Sequence, residues 1–146
     1  MRRFCIAAIC AAAWIIPVAH AQDGSSPPLV VTGRCETNAP LAGILRNRDS
    51  ARDVAVPECN RAVIERGNRV TFFRGDRQLL VFRGHPGEET DITIDAVTIG
   101  DGEAFEATKG RCRLYGTPEN GLLIVCFAVY RKHGANYGAV AMFEAD

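Results

Sequence analysis

Arginine carries the most specific chemistry this sequence offers. Arg61, Arg74 and Arg77 stand at the ends of three short β-prone runs separated by Gly67-Asn68 and Gly75-Asp76. If each of those dipeptides forms a two-residue hairpin loop, Arg61 lies opposite Arg74 and Arg74 opposite Arg77. Val63, Phe72 and Leu79 then fill the next row of the same face. Like charges directly across a ladder repel, so a row of three arginines calls for anions. One source is external: a phosphate, a carboxylate or an acidic glycan, which the guanidinium fork suits. The other is internal, because residues 84–106 carry Glu88, Glu89, Asp91, Asp95, Asp101, Glu103 and Glu106 with no Lys or Arg. Charge runs are more often solvated or compensated within the molecule, and the sequence favours that reading. A second basic cluster lies at Tyr130-Arg131-Lys132-His133-Gly134-Ala135-Asn136-Tyr137. Its Arg131, Lys132 and Tyr137 sit on a hairpin tip that either docks into a partner or forms an ordinary exposed turn. The candidate ligand-binding residues are therefore Arg61, Arg74, Arg77, Arg131, Lys132 and Tyr137.

Catalytic constellations are weak by comparison. Beyond residue 21 there are two histidines, His85 and His133, both in turn-like segments, and three serines, Ser25, Ser26 and Ser50. A Ser-His-acid triad would have to draw on Ser50, which lacks flanking nucleophile-elbow glycines. Asp91 with Asp95 offers a carboxylate pair of the kind glycoside hydrolysis uses, but in so acidic a stretch such pairs arise by composition. Asp101, Glu103 and Glu106 could ligate calcium, yet the D-x-D-x-D-G loop is missing. No phosphate-binding glycine motif occurs in a strand–turn–helix context. The expectation is a protein with no cofactor, no metal and no catalytic residue.

Cysteine usage sets the compartment. Residues 1–21 read as a signal peptide: Arg2 and Arg3, an apolar stretch from Phe4 to Val18, then Ala19-His20-Ala21 as the cleavage pattern. The apolar run is short for a membrane span and Pro17 interrupts it, so no span is expected after cleavage. Removing 21 of the 146 residues leaves 125 and reduces six cysteines to four, Cys35, Cys59, Cys112 and Cys126. An even set in an exported chain points to disulfides. Cys35–Cys59 and Cys112–Cys126 are favoured because each closes a short loop, with the two long-loop pairings as alternatives. Lys plus Arg falls from 17 to 15 against 17 acidic residues, a balance that argues against a nucleic-acid binder. The sole Trp, Trp14, leaves with the leader, which excludes a Trp-against-disulfide immunoglobulin core. A periplasmic or secreted location follows.

These residues need elements to position them. Residues 22–28 read as a flexible leader and 29–146 as a single disulfide-bonded β domain. Leu29–Thr32 is the first β-prone run. Val30-Val31-Thr32-Gly33 resembles the short segment that opens the mature region of many TonB-dependent receptors of Gram-negative bacteria; the large barrel of those receptors is absent. Leu41–Arg48 predicts a short helix with Leu41, Ile44 and Leu45 on one face and Pro40 at its start. Val54-Ala55-Val56 predicts an edge strand ended by Pro57. From Arg61 the expected strands are 61–66, 69–74, 77–83, 91–99, 103–108, 111–115, 122–131 and 137–144, separated by Gly- and Asn-rich turns including Lys109-Gly110. The hydrophobic alternation of 91–99 slips near Asp95-Ala96, which predicts a β-bulge. Leu122–Tyr130 is apolar throughout, as in a strand covered on both faces, with Cys112 opposite Cys126 and Leu114 opposite Ile124. Phe73, Leu80 and Phe82 fall beside Arg69 on the second face of their ribbon; cover by another sheet or by residues 36–58 is favoured there, and an exposed patch would be an interface. The fold class is all-β: a small antiparallel sandwich or barrel of about eight strands, mostly a meander, with one short helix in 41–48. Function reads as a non-enzymatic module binding an envelope protein or an anionic glycan or phosphate. A small carboxylate hydrolase and a structural accessory of an envelope assembly are the alternatives. The sequence does not set oligomeric state.

Overall fold

A computed structural model describes residues 26–146; the expected signal peptide and residues 22–25 of the expected leader lie outside the described residues. The fold is a closed antiparallel β-barrel of eight strands with one extra strand. The strands are β1 (Leu29–Glu36), β2 (Val54–Ala55), β3 (Arg61–Glu65), β4 (Arg69–Arg74), β5 (Arg77–Pro86), β6 (Asp91–Ile99), β7 (Ala104–Tyr115), β8 (Leu123–Lys132) and β9 (Ala135–Ala145). Helix α1 (Ala39–Arg48) follows β1. From β3 to β9 each strand pairs with the next. β1 closes the ring by pairing with β3 through Leu29–Thr32 and with β9 through Gly33–Glu36. β2 lies parallel to β9 at Gly138 and Ala139, beyond the point where β1 leaves it.

Closure turns one side chain in two toward a shared interior. Phe72, Phe82 and Phe143 fill it as a cluster of rings, Phe72 meeting Phe82 edge-on at 6.0 Å and Phe143 at 6.2 Å. Val70, Leu80, Val97 and Ile124 pack around them and are fully buried. Both favoured disulfides are present, Cys35–Cys59 and Cys112–Cys126. Cys112 and Cys126 are direct cross-strand partners inside the barrel, and Leu114 pairs with Ile124 two residues on. The first bond ties β1 to the segment entering β3, where Cys35 N–H also donates to the Cys59 carbonyl at 3.0 Å. Two intramolecular disulfides fit an oxidising, extracytoplasmic environment.

The helix covers the outer face of β8 and β9. Asn38 caps it, its side-chain oxygen accepting from Leu41 N–H at 3.0 Å. Ala42 and Leu45 bury against Val54, Val129 and Val140. Ile44, expected on the buried face, is 43% exposed instead; the helix rolls Ala42 inward because Gly138 lets it sit close. A Cβ on Gly138 would lie 3.0 Å from both Leu45 and Val54. β8 is thus covered on both faces at Val129, with Phe127 packed against the same cluster. Leu123 and Val125 on its outer face stay half-buried, so the two-sided cover that its unbroken apolar run predicts holds over part of the strand.

Three expectations need correction. The turn placed at Lys109-Gly110 does not exist: β7 runs on through it, with a bulge between Ala107 and Lys109. Gly110 marks a close approach within a strand, since a Cβ there would stand 2.9 Å from Ile94 Cβ and from the Phe127 carbonyl. His85 lies in β5, which extends to Pro86, and not in a turn. The third correction concerns the arginine row and is described with the site. The bulge read near Asp95 is present: Arg83 pairs with Ala96 and Gly84 with Ile94, leaving Asp95 as the extra residue.

Candidate functional site

The β3–β4 loop decides where the arginines point. Glu65 pairs with Arg69, so the loop is Arg66-Gly67-Asn68, one residue longer than expected. A one-residue slip exchanges the two faces of a strand. Arg61 consequently pairs with Phe73, not Arg74, and its guanidinium lies 4.6 Å from the Phe73 ring centroid on the barrel's outside. Asp76 stands 3.9 Å from it. The three-arginine row is therefore broken. Phe72, Leu80 and Phe82 face the interior together, so Leu80 and Phe82 are covered, as favoured over an exposed patch, and Phe73 alone of the expected set lies outside. The two-residue loop Gly75-Asp76 is as expected, with Gly75 at φ 59, and Arg74 does oppose Arg77.

Arg74 and Arg77 belong instead to one end of the barrel. The loops Gly75-Asp76, Gly100 to Glu103 and His133-Gly134 all lie there, and the segment Asp53–Glu58 runs across the opening. Backbone bonds hold that segment to β9, Gly138 N–H donating to the Asp53 carbonyl at 2.8 Å and Arg52 N–H to that of Asn136 at 2.9 Å. Two adjoining depressions result, sharing Ala55 and Ile99.

The first has a volume of about 360 Å³. Its walls are largely aliphatic: Val56 and Pro57 from the crossing segment, Leu79, Leu80 and Ile99 from the barrel. Leu79 reaches this wall because β5 bulges there: Phe72 pairs with Leu80 and Phe73 with Gln78, so Leu79 has no partner of its own. Arg74, Arg77 and Glu58 form the rim. Glu58 accepts from Arg74 at 2.9 Å. Among the described residues no acidic group lies within ion-pair distance of Arg77. Two cations thus face each other across a ladder with one carboxylate, Glu58, paired to either, while Asp76 of the joining loop lies toward Arg61, an arrangement that favours a further anion.

The second depression, about 540 Å³, has an aromatic floor. Phe105, Tyr130 and Tyr137 form a continuous stack, with centroids 5.3 Å apart for Phe105–Tyr130 and 5.9 Å for Tyr130–Tyr137. The Lys132 ammonium lies 5.4 Å from the Phe105 centroid. Asp53 and Glu103 complete its rim. Burial, reinforced by the Asp53 carboxylate and by Tyr137, raises the Tyr130 phenol above its ordinary pKa, so it stays protonated and able to donate. The two halves differ in charge: two cations and one anion around the first, one cation and two anions around the second.

Of the six candidate residues, Arg74, Arg77, Lys132 and Tyr137 meet at this mouth. Arg61 does not, and Arg131 turns away to donate to the Gly134 carbonyl at 3.4 Å. Sequence reasoning missed Ala55, Ile99 and Phe105. Ile99 and Phe105 had only the inward phase of their strands as a signal, and nothing short of closure says that they meet Tyr137.

The acidic run does not serve the arginines at the mouth. Asp91, with its side chain only 5% exposed, is gripped by Arg113 through two bonds of 2.5 and 2.6 Å and by Arg111 at 3.2 Å. Those bonds, Arg113's first, outweigh burial and hold the carboxyl below its ordinary range. Asp95 contacts His85 at 2.8 Å. Both members of the candidate hydrolytic pair are thereby engaged elsewhere. Glu106 lies on the outer face opposite Ala96, and among the described residues no three His, Cys, Asp or Glu side chains gather as metal ligands would. No helix among the described residues is long and apolar enough to cross a membrane. Neither a family model, nor a curated protein, nor a solved structure matches the chain.

Proposed function

We propose that the protein is a non-enzymatic binding module, periplasmic or secreted after cleavage at residue 21, that takes an anionic cell-envelope ligand at the barrel mouth. The observation that carries this reading is the juxtaposition of Arg74 and Arg77 above an aliphatic wall, with Glu58 the one carboxylate among the described residues within ion-pair distance of either. Concave apolar sites with a few directed polar groups are where small ligands bind, and the mouths of barrels are among their usual places. The interior below is filled by Phe72, Phe82, Phe143 and the Cys112–Cys126 bond, so the ligand seats on the mouth and does not enter the barrel. The engaged state of Asp91 and Asp95 weighs against the carboxylate-hydrolase alternative.

Titration with anionic glycans, phosphates and acyl anions, followed by backbone amide NMR shifts, tests the reading. Shifts should centre on Ala55, Leu79 and Ile99 and weaken as ionic strength rises. Shifts confined to the outer faces of β7–β9, or independent of salt, would remove it.

A second reading, a structural accessory of an envelope assembly, draws on one observation. Tyr115 is 47% exposed beside a shallow groove that Leu41, Val125 and Phe127 line and Arg111 and Arg113 border. An apolar patch with a charged rim is how protein interfaces look.

A further inference from the structure

We infer that the mouth ligand is an aliphatic chain ending in a single anionic group, with the anion at Arg77 and the chain along Leu79, Leu80 and Ile99. This rests on the reading of the mouth as a ligand site and narrows it to one half of the opening and one chemical class.

The argument starts from the asymmetry between the two depressions. A ligand anion is disfavoured in the second half, where Asp53 and Glu103 outnumber Lys132 and Lys132 is already placed over Phe105. It is favoured in the first, where Arg77 has no ion pair among the described residues and directly opposes Arg74. A doubly charged group would meet Glu58, whose carboxylate is 2.9 Å from Arg74; a monoanion needs only Arg77. Beyond that point the first half holds almost nothing polar. Val56, Pro57, Leu79, Leu80 and Ile99 present aliphatic carbon and no side-chain donor or acceptor. A sugar ring seated there would bury hydroxyls with no partners, at a cost of desolvation for each. An alkyl chain loses nothing of the kind. Its capacity, about 360 Å³, lies at the low end for small-molecule sites, which suits one medium-length chain.

A carboxylate and a phosphodiester are both monoanions and share this chemistry, so both enter the test. The full disulfide-bonded protein is titrated, below micelle-forming concentrations, with butyrate, octanoate, decanoate, methyl decyl phosphate and decanol, and separately with an acidic oligosaccharide. Amide shifts are read at Ala55, Leu79 and Ile99. The expected result is saturable decanoate binding that tightens about fourfold per added CH2 from octanoate. Decanol should bind about tenfold more weakly than decanoate, the loss expected when a charge-assisted bond is removed. R77Q should weaken decanoate about tenfold and leave decanol unchanged; its own amide spectrum reports whether it folds. If methyl decyl phosphate alone binds in this way, the ligand is a phosphodiester-headed chain and the inference holds. If the acidic oligosaccharide shifts the mouth and decanoate does not, the chain inference fails while the mouth remains a ligand site. If no anion moves those amides, both fail together.

Discussion

The β7–β8–β9 wall and the β3–β4–β5 wall are built from the same kind of antiparallel hairpin, yet their energetics differ. Around Phe127 and Val129, β8 is enclosed twice, by the barrel interior and by α1, and a disulfide crosses from it to β7. β4 is enclosed once. Its outer face carries Arg69, Thr71 and Phe73 with no helix over it, Thr71 being buried among its neighbours, and β3 and β5 beside it show Arg61, Val63, Val81 and Arg83. In the first wall a strand's identity is set by what surrounds it on both sides. In the second the only strong constraint is which alternate residues face inward, and that depends on loop length. The doubly covered wall holds the structure, and the singly covered one is free to place charge at the mouth.

The sharpest way to break this comparison is at Phe72 and Phe73. Adjacent in sequence and identical in type, they differ in face. F72A should cost about 4 kcal/mol, as for a fully buried aromatic, and F73A about 1 kcal/mol. Urea denaturation of both variants measures it; equal losses would mean that the β3–β5 register is wrong.

A smaller effect separates the walls by pH. Asp91 anchors β6 to the well-covered wall through Arg113 and Arg111. Its carboxyl is held below the ordinary range when folded, so its contribution is complete above the unfolded carboxylate pKa. That contribution is lost as pH falls through the depressed folded value. D91N should therefore cost about 2 kcal/mol at neutral pH, discounted because both arginines are partly exposed, and should flatten the acid limb of a stability–pH curve. An acid limb as steep in D91N as in the parent would assign it to other carboxylates.

The smallest expected effect belongs to Arg61. Its contacts are the Phe73 ring and a distant, fully exposed Asp76. R61A should lower stability by under about 1 kcal/mol and leave mouth binding unchanged, in contrast to R77Q. A loss of ligand affinity in R61A would restore it to the site.

What could be read from the sequence follows the same division. The Cys112–Cys126 pairing, the Leu114–Ile124 contact and the bulge at Asp95 were legible because apolar alternation and the short loops that the cysteine spacing allows favour this arrangement over the two long-loop pairings. The face of Arg61 was not legible, because Gly67-Asn68 serves equally as a two-residue loop and as the end of a three-residue one. Both settings leave apolar residues on each side of β4. Gly110 was misread for a related reason: a glycine needed for close approach and one needed for a turn look alike until the neighbouring strand is in place. The site was half legible. Four of its charged and aromatic residues were named from composition and hairpin position, while Ala55, Ile99 and Phe105 belong to it only through closure.

The ring of strands has a consequence for how any protein could recognise this one. β1 joins β3 to β9, so among the described residues the free border is short: the two-residue β2 and Leu29–Val31 of β1, which pairs with β3 alone. An extended peptide has little length on which to add itself to the sheet, as peptides do on open sheets. A protein partner must therefore be chosen mainly through side-chain chemistry. Sequence changes on these surfaces should alter whom the molecule meets, with little generic backbone contact to fall back on.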